Sequence, residues 1–171
     1  MDIRMLGPLE GWRGSERLDL GPPQQRAVLA MLALTVNRVV AVDRLIAVVW
    51  AGHPPRTARN ALQVSVSRLR GILAADPPVM RIHTRPPGYV LEGNPGLVDV
   101  HRFTALVQRA ARETDDGRVV DLLTNALQLW RGPALADLPI DGVRRLCRYL
   151  DESRRAVEAR LRLDVAVPTT A

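Results

Sequence analysis

The spacing of apolar and polar positions changes along the chain. Short apolar stretches broken by glycine and proline, at residues 2–9 and 17–20, predict short antiparallel strands. After the Pro22-Pro23 pair, the apolar positions of residues 27–34 fall on one side of a helix. This order predicts a small sheet followed by a first helix.

The next segment predicts a short strand, two more helices and a hairpin. Residues 39–42 are strand-like, and Asp43 is expected to cap a second helix that ends before the GHPP sequence at 52–55. A longer third helix is predicted from about Arg56 to about Leu73, before Asp-Pro-Pro at 76–78. Residues 80–84 and 89–91 then flank an RPPG turn and predict a β-hairpin.

Beyond the hairpin the pattern becomes helical only. Residues 92–96 are rich in glycine, asparagine and proline, and helical periodicity follows over 99–114, 117–130 and 142–163. The sequence therefore predicts a mainly α protein with small β-sheets. Its expected parts are an N-terminal domain over 1–92, a linker over 93–98 and an all-helical unit over 99–171.

The predicted third helix has two chemically different faces. On a helical wheel Leu62, Val66, Leu69 and Leu73 form one stripe, with Ala58 beside them, and this stripe predicts core. The opposite face carries no carboxylate, and amides, guanidinium groups and a small apolar side chain suit the edges of base pairs in the major groove. A solvated helix that lacks acids by chance is the alternative. The face consists of Arg56, Thr57, Asn60, Gln63, Val64, Ser67, Arg68 and Gly71.

The charge distribution favours a polyanionic partner. All 24 basic residues are arginine, the net charge is +6, and residues 56–85 contain six arginines against the single acid Asp76. Arg85, just before the hairpin turn, is expected to reach the minor groove, and Arg81 to reach phosphate. A structural role for Arg85 at the turn is the alternative.

The chain offers no constellation typical of an enzyme. His53, His83 and His101 lack metal-ligand spacing, and no glycine-rich phosphate loop is present. Cys147, the one cysteine, is expected to be structural rather than a nucleophile. We expect neither catalysis nor a cofactor or metal. The single cysteine and the absence of a stretch approaching ~18 apolar residues favour a cytoplasmic protein without a membrane span.

Several sequence runs together resemble one family of regulators. They are LGPLE at 6–10, GPPQQRAVL at 21–29, NRVV at 37–40, VDRLI at 42–46, TARNALQV at 57–64, SRLR at 67–70, TRPPGY at 84–89, DVHRF at 99–103 and LWRGPAL at 129–135. The chain resembles the Streptomyces antibiotic regulatory protein (SARP) family of pathway-specific transcription activators. The resemblance covers residues 3 to about 138.

The resemblance implies a fold, partners and roles for named residues. It implies an OmpR-type winged helix-turn-helix followed by a bacterial transcriptional activation domain of tetratricopeptide-like hairpins. It also implies binding to direct repeats near the promoter −35 element, usually by two protomers side by side, and recruitment of the RNA polymerase holoenzyme. The loop of Trp50, Gly52 and His53 takes the position that touches polymerase. The DNA-binding positions are Arg56, Thr57, Asn60, Gln63, Val64, Ser67, Arg68 and Arg70 in the recognition helix and Arg81 and Arg85 in the wing.

The chain departs from the family pattern after its third helical segment. A full activation domain continues well beyond that helix, so a truncated, partial domain is expected over 99–171. Two other functions stay open. They are a protein-interaction module whose helical unit is the working part, and a repressor that blocks polymerase sterically.

Overall fold

The N-terminal residues form a three-stranded antiparallel sheet. The computed structural model describes residues 1–74 and 79–166, with side chains up to residue 163. Strands β1 (Asp2–Arg4), β2 (Glu10–Arg13) and β3 (Glu16–Leu18) pair in chain order. The sequence predicted a small antiparallel sheet here, but β2 lies between its two predicted strand segments, residues 2–9 and 17–20. The predicted turn at 76–78 and the tail at 167–171 lie outside the described residues.

Three helices and a second sheet complete the N-terminal unit. The helices are α1 (Pro23–Leu34), α2 (Val42–Val49) and α3 (Ala58–Leu73). The strands are β4 (Val40–Ala41), β5 (Met80–Arg85) and β6 (Gly88–Gly93), which pair antiparallel in the order β4-β6-β5. Two helices in succession, a longer third helix and a hairpin wing make a winged helix-turn-helix.

Two predicted helix starts were wrong in detail. Asp43 does not cap α2, because the helix already begins at Val42 and Asp43 lies in its first turn. The third helix begins at Ala58 rather than near Arg56. Its first helical bond runs from the amide of Ala61 to the carbonyl of Thr57, so Arg56 belongs to the loop.

The C-terminal unit is helical, as predicted. A short 3₁₀ turn (Pro95–Leu97) leads into α4 (Asp99–Ala110), α5 (Asp116–Gln128) and α6 (Asp141–Ala166). The carboxylate of Asp115 accepts a 2.8 Å hydrogen bond from the amide of Arg118 and so caps α5. Phe103 and Trp130 meet edge to face, with ring centroids 5.6 Å apart, and fill the space beside α4.

Both units contribute to one continuous hydrophobic core. Ile3 and Val98 are fully buried and form a parallel bridge, so β1 is joined to the segment before α4. The end of the predicted linker, Val98, therefore packs against the N-terminal sheet. The cluster continues from Leu6 through Leu69 to Leu123 without a break between the units.

Helix α6 makes a backbone contact with α2 at Gly142. A Cβ built on Gly142 would overlap the carbonyl oxygen of Val48 and lie 2.7 Å from its carbonyl carbon. Only glycine allows the two helices to approach this closely.

We expect Gly142→Ala to lower the free energy of unfolding by about 2 kcal/mol, because one or both helices must shift to relieve the overlap. Denaturant unfolding monitored by circular dichroism measures this change. Gly71→Ala is the matched control, because a Cβ there meets no atom within 4 Å. Alanine at position 71 should leave stability unchanged or raise it by about 0.5–1 kcal/mol. Equal effects at the two positions would contradict the proposed packing role of Gly142.

Candidate nucleic-acid interface

Helix α3 buries one face and exposes the other. The five residues of the predicted core stripe are at most 4% exposed, and they pack against α1, α2 and β5. All the residues predicted to face DNA are exposed, and Val64 keeps 42% of its surface accessible. The helix contains no acidic residue, so its exposed face presents donors, amides and a small apolar group without carboxylates.

Long-range hydrogen bonds hold both ends of α3. At its C-terminus, the guanidinium of Arg13 donates to the carbonyl oxygens of Ile72 and Ala74, at 2.8 and 3.0 Å. Such a donor satisfies carbonyls that the last helical turn leaves free. Near the N-terminus, Arg59 donates to the carboxylate of Asp43 at 2.7 Å, on the exposed surface. The bonds from Arg13 therefore tie the C-terminal end of α3 to β2, whereas the exposed Arg59–Asp43 pair adds little stability.

Arg70 is exposed but hydrogen-bonded to the wing. Its Nε donates to the carbonyl oxygen of Ile82 at 2.8 Å, and its Nη2 donates to the hydroxyl of Thr84 at 2.9 Å. Arg70 therefore ties the recognition helix to the wing. Its assignment to DNA remains a prediction, and the geometry gives it a positioning role as well.

The wing carries its charges on one face. Strand β5 directs Met80 and Ile82 into the core, while Arg81 and Arg85 are exposed. Glu92 on β6 lies 3.6 Å from Arg85 and also 3.6 Å from His83. Both contacts are well exposed, and exposed pairs contribute little to stability, so Arg85 can exchange Glu92 for DNA at little cost.

The loop between α2 and α3 is exposed at its tip. Ala51 and Gly52 adopt left-handed backbone conformations, with φ of 49° and 85°. The side chain of His53 lies beside the carbonyl oxygen of Ala51, at 3.2 Å, and faces solvent. Trp50 is half-buried and packs against the core. Of the three predicted polymerase-contact residues, Gly52 and His53 are therefore accessible and Trp50 mainly supports the loop.

A buried carboxylate joins the two units. Asp99, 2% exposed, accepts hydrogen bonds from the amide of Met5 at 2.8 Å and from the amide of Leu6 at 3.0 Å. Burial raises the pKa of Asp99, while these backbone bonds and the charge of Arg131 oppose the rise. Asp99 was recognised in the sequence only as part of a family motif, and its partners are more than 90 positions away.

Further bonds connect the same N-terminal segment to the loop before α6. The amide of Arg131 donates to the carbonyl of Leu6 at 2.7 Å, and the amide of Leu135 donates to the carbonyl of Gly7 at 2.7 Å. Asp137 accepts from the amide of Leu9 at 2.8 Å and pairs with Arg26 of α1. Residues 5–9 thus lie between the winged helix and the helical unit and are bonded to both.

The described residues contain no cluster of three or more histidine, cysteine or acidic side chains that could hold a metal ion. Among the helices of the described ranges, none combines the length and apolar character of a bilayer-crossing segment.

Burial and the nearby carboxylate of Asp151 raise the pKa of the Cys147 thiol, which disfavours a reactive thiolate. His101 is used structurally, because its Nε2 lies 2.9 Å from the carbonyl oxygen of Ala33.

Two protein families match consecutive parts of the chain. The family described as "Transcriptional regulatory protein, C terminal" matches residues 15–91. The "Bacterial transcriptional activator domain" matches residues 98–169. The two matches follow the winged helix and the helical unit of the structure.

Several known proteins and a solved structure are similar to this chain over most of its length. Transcriptional regulatory protein MoaR1 of Mycobacterium tuberculosis is 36% identical over 98% of this chain and 59% of its own length. Regulatory protein AfsR of Streptomyces coelicolor is 38% identical over 79% of this chain and 14% of its own length. The structure titled Mycobacterium tuberculosis EmbR in complex with low affinity phosphopeptide has a TM-score of 0.81 at 37% identity, covering 92% of this chain and 43% of that one. The chain thus spans no more than 59% of the length of these relatives.

The chain has a winged helix whose exposed third helix lacks acids, followed by a helical activator unit. These features are those of OmpR-type DNA-binding transcription regulators. The chain belongs to the SARP family of transcription regulators, as the sequence resemblance predicted. The predicted fold class, an OmpR-type winged helix followed by a helical activation domain, is confirmed.

Proposed function

We propose that the chain binds direct repeats near the −35 element of a promoter and recruits RNA polymerase to activate genes of a biosynthetic pathway for a secondary metabolite. Residues 1–92 would bind DNA, residues 93–98 would join the units, and residues 99–171 would act in activation. Two protomers would occupy adjacent repeats side by side. The polymerase contact would use the α2–α3 loop, which includes the exposed residues Gly52 and His53.

One observation carries the DNA-binding part of this proposal. The exposed face of α3 combines Asn60, Gln63 and Arg68 with no carboxylate on the whole helix. Asparagine and glutamine match the donor and acceptor pair of adenine, and arginine matches guanine or a phosphate. A surface that only faced water would ordinarily mix acidic and basic side chains. The flanking wing adds the positive charges of Arg81 and Arg85.

Footprinting on the DNA upstream of the chain's own gene tests this function. We expect protection of two direct repeats. The affinity should fall about a thousandfold between 50 and 200 mM salt if about six phosphates are neutralised. Arg81→Ala should reduce the slope of log affinity against log salt by about 1, because it removes one phosphate contact. Arg155→Ala on α6 is the matched control and should leave the slope unchanged.

The same experiment separates this function from a protein-interaction module. Such a module would give no protected repeat and no steep dependence of DNA binding on salt. In vitro transcription then separates an activator from a steric repressor. Added protein should increase the yield of transcript from the footprinted promoter, and a decrease would overturn the activation proposed here.

A further inference from the structure

The structure contains a groove between the two units, beside the α2–α3 loop. Its volume is about 650 Å³, and its walls are α2 and the first turns of α6. The floor is apolar and includes Met31, Ala47, Val48 and Leu146. Among the described residues that line it, none belongs to α3. The groove is therefore lined by residues other than those proposed to read bases.

The rim of the groove is positively charged. Arg44 from α2 and Arg145 from α6 both line it. Within the described part of the chain, neither guanidinium takes part in a hydrogen bond or an ion pair. The one acid in the lining, Asp141, is already paired with Arg144 at 3.0 Å. Two arginines without a partner among the described residues therefore line the groove.

An exposed aromatic residue completes the lining. Tyr149 of α6 keeps 66% of its surface accessible. Tyrosine and arginine around an apolar centre are typical of the positions that dominate protein–protein binding energy. The sugar–phosphate backbone of DNA offers charges but no large apolar side chain that would fill the floor. The combination favours a protein segment over a nucleic acid.

We propose that this groove binds an acidic segment of RNA polymerase holoenzyme that inserts an apolar side chain between α2 and α6. This proposal rests on the polymerase contact of the proposed function and extends it from the α2–α3 loop to α6. The two surfaces are continuous, because Ala51 and Gly52 of the loop also line the groove. The carboxylates of the segment would pair with Arg44 and Arg145, and its apolar side chain would pack beside Tyr149.

The test uses the full chain on labelled promoter DNA, with purified RNA polymerase holoenzyme of the host as the probe. Arg145→Glu and Tyr149→Ala should each weaken polymerase recruitment about tenfold or more, which is typical of central interface residues. DNA binding without polymerase should change less than about twofold, because these residues lie outside the base-reading face. Arg155→Glu and Leu163→Ala on the same helix are matched controls, and both residues are exposed.

Cross-linking identifies what occupies the groove. A benzophenone attached to the cysteine of Tyr149→Cys, in a Cys147→Ala background, should cross-link to a polymerase peptide rich in aspartate and glutamate. Cross-links to DNA or to a second copy of the chain would overturn the proposal, as would unchanged recruitment by both groove variants. Unchanged recruitment by variants of a wild type that does recruit polymerase refutes the groove alone. A wild type that binds the repeats without recruiting polymerase refutes the proposed activation itself.

Discussion

Asp99→Ala is expected to lower the free energy of unfolding by about 3 kcal/mol, because it leaves buried backbone amides without an acceptor. The carboxylate accepts from the amides of Met5 and Leu6, and the site is too deeply buried for solvent to replace it. Asp99→Asn retains one acceptor oxygen and should cost roughly half as much. Chemical denaturation followed by tryptophan fluorescence measures both values.

The control for this prediction is Asp121→Ala on α5. Asp121 is exposed, so its replacement should change stability by less than about 0.5 kcal/mol. Equal stability of the wild type and Asp99→Ala would mean that the two amides find other partners and that Asp99 does not join the units.

The pH dependence of the Asp99 variants has a defined sign. Burial raises the pKa of Asp99 above the ordinary aspartate value of 3.8, so the folded protein binds more protons than the unfolded chain between the two values. The contribution of Asp99 to stability is then complete below pH 3.8 and decreases as the pH rises through the folded-state pKa. The difference in free energy of unfolding between the wild type and Asp99→Ala should therefore be largest in acid and should decrease toward neutral pH.

The double variant Asn60→Ala with Arg68→Ala is expected to bind the footprinted repeat about a hundredfold more weakly, because each lost base contact costs about 1–3 kcal/mol. Both side chains are exposed on α3, so the fold should be retained. Fluorescence anisotropy with labelled repeat DNA measures the affinity. A randomised duplex should show a much smaller difference between the two proteins, because it retains the phosphates and loses only the specific bases.

Asn125→Ala with Arg155→Ala provides the matched control for this variant. It removes the same two side-chain types from exposed positions on α5 and α6. We expect its affinity for the repeat to equal that of the wild type. A loss of less than about threefold in the α3 variant would contradict base reading by this face, since one good base contact alone exceeds it.

Local periodicity predicted the elements that carry the interface. The apolar stripe of α3 is buried in the structure, because helical spacing alone decides which side chains share a face. The hairpin and its exposed arginines followed from a turn signal between two short apolar runs. Helix starts were less well predicted. Asp43 has the chemistry of a cap but pairs with Arg59, a residue 16 positions away.

The contacts that position the interface could not be predicted from the sequence. Arg13 caps the far end of α3 across 59 or more positions, and Asp99 binds amides more than 90 positions away. Nothing in the local pattern distinguishes these side chains from solvated ones. Gly142 had no turn or positive φ to mark it, because its requirement comes from the backbone of another helix. The α2–α6 groove was missed for the same reason.

Residues 5–9 are bonded to both units, so the two units cannot move independently as they would on a flexible linker. If a promoter presents its repeats one helical turn apart, about 10.5 base pairs, successive protomers carry their helical units along the same side of the duplex. Inserting half a turn of DNA would move one unit to the opposite side, and the bonds of residues 5–9 to both units would hold it there. The phase of the double helix, rather than protein flexibility, then decides whether neighbouring protomers can present their activator surfaces together.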